Sequence, residues 1–175
     1  YLRKYKIPYK IYSGISFYQR KEIKDALAYL RFIVNRKDIE AFNRIINYPS
    51  RKIGDVTINK IAIYSFQNNI SIDEAIQQEH LIQTNINKPT IAKISTFREL
   101  IEKYRQDIYK LDAYELAKKV LDESGLIDEL KADNSPEGKE RFENVIELLN
   151  GIKDFTDNPD NKENGNNNIV NYLET

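Results

Sequence analysis

Apolar residues return at helical spacing along most of this chain, and each run is fenced by a cap or a breaker. From Gln19 to Val34, the residues Ile23, Ala26, Leu27 and Leu30 share one face with Lys and Asp between them, the period of an amphipathic helix. A second helix is expected from Lys37 to Asn47, ended by Tyr48-Pro49-Ser50 because a proline disfavours helical geometry in the residue before it. Arg51 to Val56 reads as a turn centred on Gly54, with Thr57 as the N-cap of a helix to about Gln67. Ser71-Ile72-Asp73-Glu74 spells a capping box at the start of a short helix. After a loop at Asn85 to Lys88, Pro89 suits the first turn of a long helix to about Tyr109. Asp112 caps another helix to Ser124, stopped by Gly125 at the C′ position. A loop from Asp133 to Gly138 precedes a helix from about Lys139 to Phe155. Only the start differs: Pro8, Tyr9, Ile11 and Tyr12 favour a short strand, and Gly14 permits the bend after it.

The expected fold is therefore a mainly α domain of helix-loop-helix elements with one short N-terminal strand. Residues 1–155 form its body. Residues 156–175 form an appended segment: Thr156 to Asn168 is rich in Asn and Asp and expected to be mobile, and Ile169 to Leu173 reads as a short amphipathic stub. A chain of 175 residues suits one core. It holds no apolar run long enough to span a bilayer and no signal-peptide pattern. The first residues already read as mid-protein sequence, so an excised piece of a longer chain is expected. With no cysteine and one histidine, thiolate metal sites and histidine clusters are excluded; a reducing, cytoplasmic setting is the expectation.

The formal net charge is zero, but it is polarised. Residues 1–60 hold 14 Lys and Arg against 5 Asp and Glu, a net of +9, whereas residues 111–175 hold 7 against 16, a net of −9. A basic N-terminal third is the footprint of a phosphate-backbone binder; solvated helix faces are the competing reading. The aromatic residues Tyr29, Phe32, Phe42, Phe66, Phe97 and Phe142 fall at helical apolar positions and are expected in the core, while Tyr5, Tyr48 or Tyr64 could stack on bases if exposed.

The run Pro8-Tyr9-Lys10, Ser13-Gly14, Phe17-Tyr18, Arg20, Glu22-Ile23-Lys24-Asp25 and Ala28-Tyr29-Leu30-Arg31 resembles the segment that opens the 2B subdomain of the UvrD/PcrA/Rep superfamily 1 DNA helicases. A second match follows: Ala41-Phe42, Arg44-Ile45-Ile46-Asn47 and Pro49 lead into Arg51-Lys52-Ile53-Gly54 and Thr57. Phe97 to Ile101 and Asn144 to Leu148 fit the family's later helices more loosely. The resemblance implies a DNA-binding and regulatory accessory subdomain of an ATP-dependent 3′-to-5′ DNA helicase, one that contacts the duplex backbone ahead of the fork. It implies duplex DNA at a single-strand/double-strand junction as partner, together with the parent's own RecA-like motor subdomains and repair or replication proteins. ATP and Mg are implied for the parent only. The chain itself carries no G-x-x-x-x-G-K-[ST], so no cofactor and no catalysis are expected of it alone. An alternative is a protein-interaction or autoinhibitory module that docks on the motor, or on an acidic partner, without touching DNA.

By this resemblance, duplex contact falls to Lys52, Ile53, Gly54 and Thr57, with Arg51 in support. A tight turn before a helix offers backbone N–H groups and a positive dipole end to a phosphate, and Gly54 lets the backbone come close. Lys52 stands where the family has a glycine. Arg20, Glu22 and Lys24 are candidates for an interface with neighbouring subdomains; ordinary helix-surface pairs such as Lys21 with Asp25 are the competing reading. Asp73-Glu74-Ala75-Ile76-Gln77 spells the D-E-x-x-Q of a motor's magnesium-binding strand, but it follows Ser71 at a helix start, with no buried strand before it.

Overall fold

A computed structural model describes residues 16–175 of the chain. Every regular element among them is a helix: α1 Lys21–Val34, α2 Ile39–Ile45, α3 Asp55–Gln67, α4 Ile72–Ala75, α5 Gln78–Leu81, α6 Lys88–Arg105, α7 Ala113–Glu123, α8 Leu126–Lys131, α9 Pro136–Asp157, α10 Pro159–Glu163 and α11 Ile169–Leu173. The mainly α expectation holds. The N-terminal strand expected at Ile7 to Tyr12 lies outside the described residues.

α1 is the axis of the domain. It packs against α2, α6, α7, α9 and α11, so it is apolar around most of its circumference: Ile23, Ala26, Tyr29, Leu30, Phe32 and Ile33 are fully buried. Phe32 meets Phe42 of α2 and Phe97 of α6, with ring centroids 5.6 and 6.4 Å away, and Phe42 and Phe97 stand 6.2 Å apart. This three-ring cluster joins the first helix pair to the long α6. Buried charges on α1 are satisfied inside the domain. Asp25, 3 % exposed, receives Arg44 at 2.6 Å and Lys21 at 3.0 Å. Glu22 accepts from Asn144 of α9 at 2.8 Å. Isolated, either carboxylate would cost several kcal/mol to bury.

The helix ends follow the capping residues. Asp38, Ser71, Asn87, Asp112 and Ser135 each accept a backbone N–H of the following first turn, and Asp112 with Glu115 forms a complete capping box. Gly125 takes the left-handed conformation, φ 87°, at the end of α7. Two short helices, α5 and α8, fill stretches for which no helix is expected. The 156–168 segment, expected to be mobile, contains α10, and it is tied down where Asn167 O accepts from Ala113 N at 2.8 Å and where Thr156 Oγ1 accepts from Tyr114 N at 3.1 Å. Ile169 of α11 is fully buried.

α3 is the exception to this close packing. Only Ile61 and Ser65 of its thirteen residues are buried. Val56, Ile63 and Phe66 are exposed, Phe66 at 88 %. The expectation that Phe66 lies in the core is overturned: α3 packs chiefly on the four-residue α4, which is too short to cover more than one stripe of it. Phe142, also expected in the core, is half-buried on α9. Among the described residues, no helix is long and apolar enough to cross a membrane.

Candidate nucleic-acid interface

The turn between α2 and α3 is built by side chains that lock its backbone from inside. Asn47 Oδ1 accepts two N–H groups, from Arg51 at 2.8 Å and from Ile53 at 3.1 Å, and so bridges across Lys52. Arg51 Nη1 donates to Ile45 O at 2.7 Å and Ile46 O at 3.2 Å, the last carbonyls of α2. Its Nη2 donates to the Tyr29 hydroxyl at 2.8 Å, and its guanidinium carbon lies 4.8 Å from the Phe97 ring centre. Tyr29 in turn donates to Tyr48 O. A cation at the C-terminal end of a helix meets the negative end of the dipole, and the planar fork of arginine spans several acceptors where a lysine could not. Burial pushes the Tyr29 phenol above its usual range, against the opposing pull of Arg51.

Within this clamp Lys52 adopts φ 56°, the left-handed region that costs an L-residue with a Cβ roughly 1–2 kcal/mol. Lys52 thus sits in a glycine-like conformation, with its side chain exposed. The side chain of Ile53 is fully buried. Gly54 is the N-cap of α3, at φ −75° and ψ 165°; a Cβ there would meet nothing within 4 Å.

The helix start is therefore one residue after Gly54, and Thr57 lies inside the first turn instead of capping it. Thr57 is too far along to be the cap: Gly54 O already accepts from Ile58 N at 3.1 Å, so the first helical hydrogen bond closes three residues earlier than a Thr57 cap would allow. Among the described residues, no side chain caps the N-terminus of α3. Its first backbone N–H groups have no partner within the helix and open to solvent beside Gly54, with Thr57 half-exposed behind them. Asp55, also exposed, is the acidic residue of this first turn and weakens its attraction for an anion.

The five residues assigned by resemblance fall into two groups. Lys52, Gly54 and Thr57 face outward. Arg51 and Ile53 face inward and shape the turn. Asn47, which carries no role in the sequence reading, is the hub; its signal was an Asn four residues before a turn amide, the spacing of a side chain that competes for backbone donors. Arg20 and Glu22 are engaged within the domain, Arg20 with Glu140 at 3.2 Å and Glu22 with Asn144. Lys24 is half-buried and has no ion-pair partner among the described residues.

The basic third is less free than its count suggests. Arg31 pairs with Asp38, Arg36 with Asp73 and Glu102, and Arg44 with Asp25. Lys60 donates to Asn85 O at 2.6 Å. Asp73 is thereby committed to an arginine cluster on a helix, with Arg98 Nε 3.9 Å away. Among the described residues, no group of three or more His, Asp or Glu is placed to hold a metal. Tyr48 and Tyr64, candidates for base stacking, are half-buried; Lys21 lies 4.8 Å over the Tyr48 ring, and the Tyr64 hydroxyl is 3.0 Å from His80 Nδ1.

The family model described as the UvrD-like helicase C-terminal domain matches residues 1–175. The chain is 35% identical over 167 residues to the ATP-dependent DNA helicase PcrA of Staphylococcus aureus and 36% identical over 167 residues to that of Staphylococcus epidermidis. Each alignment covers 95% of this chain and 22% of the relative, so the chain spans about a fifth of the length of the curated relatives it matches.

Proposed function

This chain belongs to the UvrD-like helicase C-terminal domain family, and from that premise we propose that it is a DNA-contacting accessory domain of an ATP-dependent 3′-to-5′ DNA helicase. The observation that carries the reading is the start of α3: an uncapped helix N-terminus beside Gly54, where no Cβ obstructs approach, flanked by the exposed Lys52. A phosphate at that point receives backbone N–H donors, the positive end of the helix and the lysine charge. Such contacts carry no base information, so binding is independent of sequence and steeply dependent on salt. The partner is duplex DNA next to a single-strand junction, and the motor that uses ATP and Mg resides in the rest of the longer protein.

A second reading is favoured by one observation. The outer face of α3 exposes Val56, Ile63 and Phe66, and a groove of about 530 Å³ lies beside it between Ile39 and Ile72. An apolar face of this kind marks a contact surface, here for the remainder of the parent polypeptide, with regulation as the role.

Fluorescence anisotropy of this chain on a duplex with a 3′ single-stranded tail separates the two, with Lys52→Glu beside it. Salt-sensitive binding that the variant loses supports DNA contact through the turn. Absence of binding at low salt transfers the role of this domain to docking on its own motor.

A further inference from the structure

Beside the turn, a cleft of about 540 Å³ opens between Arg51 and one face of α6, lined by Arg51, Lys93, Thr96, Phe97, Leu100 and Lys103, with Glu99 also at its edge. Its walls hold three cations against one carboxylate. Lys93 and Lys103 are exposed and about 15 Å apart along the helix axis, with Lys103 also paired to Glu123 at 2.8 Å. Between them the floor is apolar: Leu100 is half-buried and Phe97 lies under the Arg51 guanidinium. Arg51 spends Nη1 on Ile45 O and Ile46 O and Nη2 on Tyr29. What it offers the cleft is therefore a fixed positive plane more than free donors.

That combination selects among nucleic-acid components. A paired backbone presents only phosphate and sugar, because its base faces are already stacked, and it gains nothing from an apolar floor. An unpaired nucleotide presents both an anionic phosphate and an aromatic face, and such faces stack on guanidinium planes and rest on apolar side chains. Arg51 belongs to the turn and to the cleft at once, so the two features adjoin. We propose that this cleft binds an unpaired nucleotide, its base over Leu100 and the Arg51 plane and its phosphates on Lys93 and Lys103. The assignment rests on the DNA-contact reading above and adds to it the single-stranded side of the junction.

Amide chemical shifts of the isotope-labelled chain test this with three probes: the tetranucleotide of thymidine, the same tetranucleotide with abasic sugars, and a blunt hairpin duplex. The thymidine strand is expected to move the amides of Thr96, Leu100 and Lys103. Lys93→Glu and Thr96→Glu, both on the exposed face of α6, are each expected to weaken that binding about tenfold, while Lys118→Gln on α7 leaves it unchanged. The blunt hairpin is expected to move Gly54 to Thr57 and not α6. The proposal is overturned if the thymidine strand leaves α6 unmoved at millimolar concentration, if the abasic strand binds equally well, or if the hairpin moves α6 to the same extent. Failure of the duplex reading shows separately, as a hairpin that leaves Gly54 to Thr57 unmoved.

Discussion

Lys52 concentrates the tension between folding and binding at a single residue. Its φ of 56° costs roughly 1–2 kcal/mol for a residue with a Cβ, and a glycine there would escape that cost while losing about 0.5–1 kcal/mol of extra backbone entropy. Lys52→Gly should therefore raise the unfolding free energy by about 0.5 kcal/mol, read from urea titrations. The same change removes the exposed ammonium beside the open helix start, so duplex affinity measured at low salt should fall and its salt slope should lessen by about one. A drop in stability with unchanged affinity would show that the lysine side chain is held by the fold and not presented to a partner.

The turn works as an element because Asn47 and Arg51 hold its two ends together. Asn47→Ala leaves the N–H groups of Arg51 and Ile53 without their acceptor, a loss of about 2 kcal/mol if they stay buried. It should also weaken duplex binding, because Lys52 is no longer held across the bridge. Asp112→Ala offers the contrast. It removes a capping box on α7 for about 1 kcal/mol, at an element that takes no part in the turn, so duplex affinity should not change. Stability and binding measured on both variants would separate the two roles. Caps of this kind were also what made the helices legible in the sequence: Ser71, Asp112 and Gly125 mark ends that the structure keeps. α8 was not legible because Gly125 both ends α7 and starts α8, so a single stop signal concealed a second start. Thr57 misled for a related reason: a good capping residue lay three positions inside a helix whose real cap, Gly54, has no side chain to announce it. Phe66 has a core-like position in the helical period, but no pattern in the sequence reveals that α3 has no neighbour on that side among the described residues.

At the scale of the whole molecule, the titrating groups with displaced pKa values act at the two ends of the pH range. Burial pushes the Tyr48 phenol up to about 12, and it raises the phenols of Tyr29, Tyr104 and Tyr172 in the same direction. A raised folded-state pKa means that the unfolded chain gives up the proton first. The contribution is complete below pH ~10, the ordinary tyrosine value, and is lost as pH climbs toward the folded value. Hydrogen bonds to Asp122, Asp107 and Asp157 raise Lys118, Lys119 and Lys153, which adds a loss of the same sign above their ordinary value. At the acid end the Ser135 hydroxyl lowers Asp133, and Lys153 lowers Asp157; their contribution is present above pH ~4 and lost below it. The expected profile of unfolding free energy against pH thus falls at both ends. Its alkaline limb should begin near pH 10 and coincide with a tyrosine absorbance step that appears only as the chain unfolds. The alkaline limb carries the sharper information, because Tyr29 bonds to Arg51 and to the carbonyl of Tyr48: ionising it removes the proton that anchors the turn. Tyr29→Phe should therefore weaken duplex binding at neutral pH, where the duplex is intact, and flatten part of the alkaline limb of stability. If Tyr29→Phe binds duplex as tightly as the native chain at neutral pH, the turn holds its shape without the phenol, and Asn47 and Arg51 alone suffice to position it.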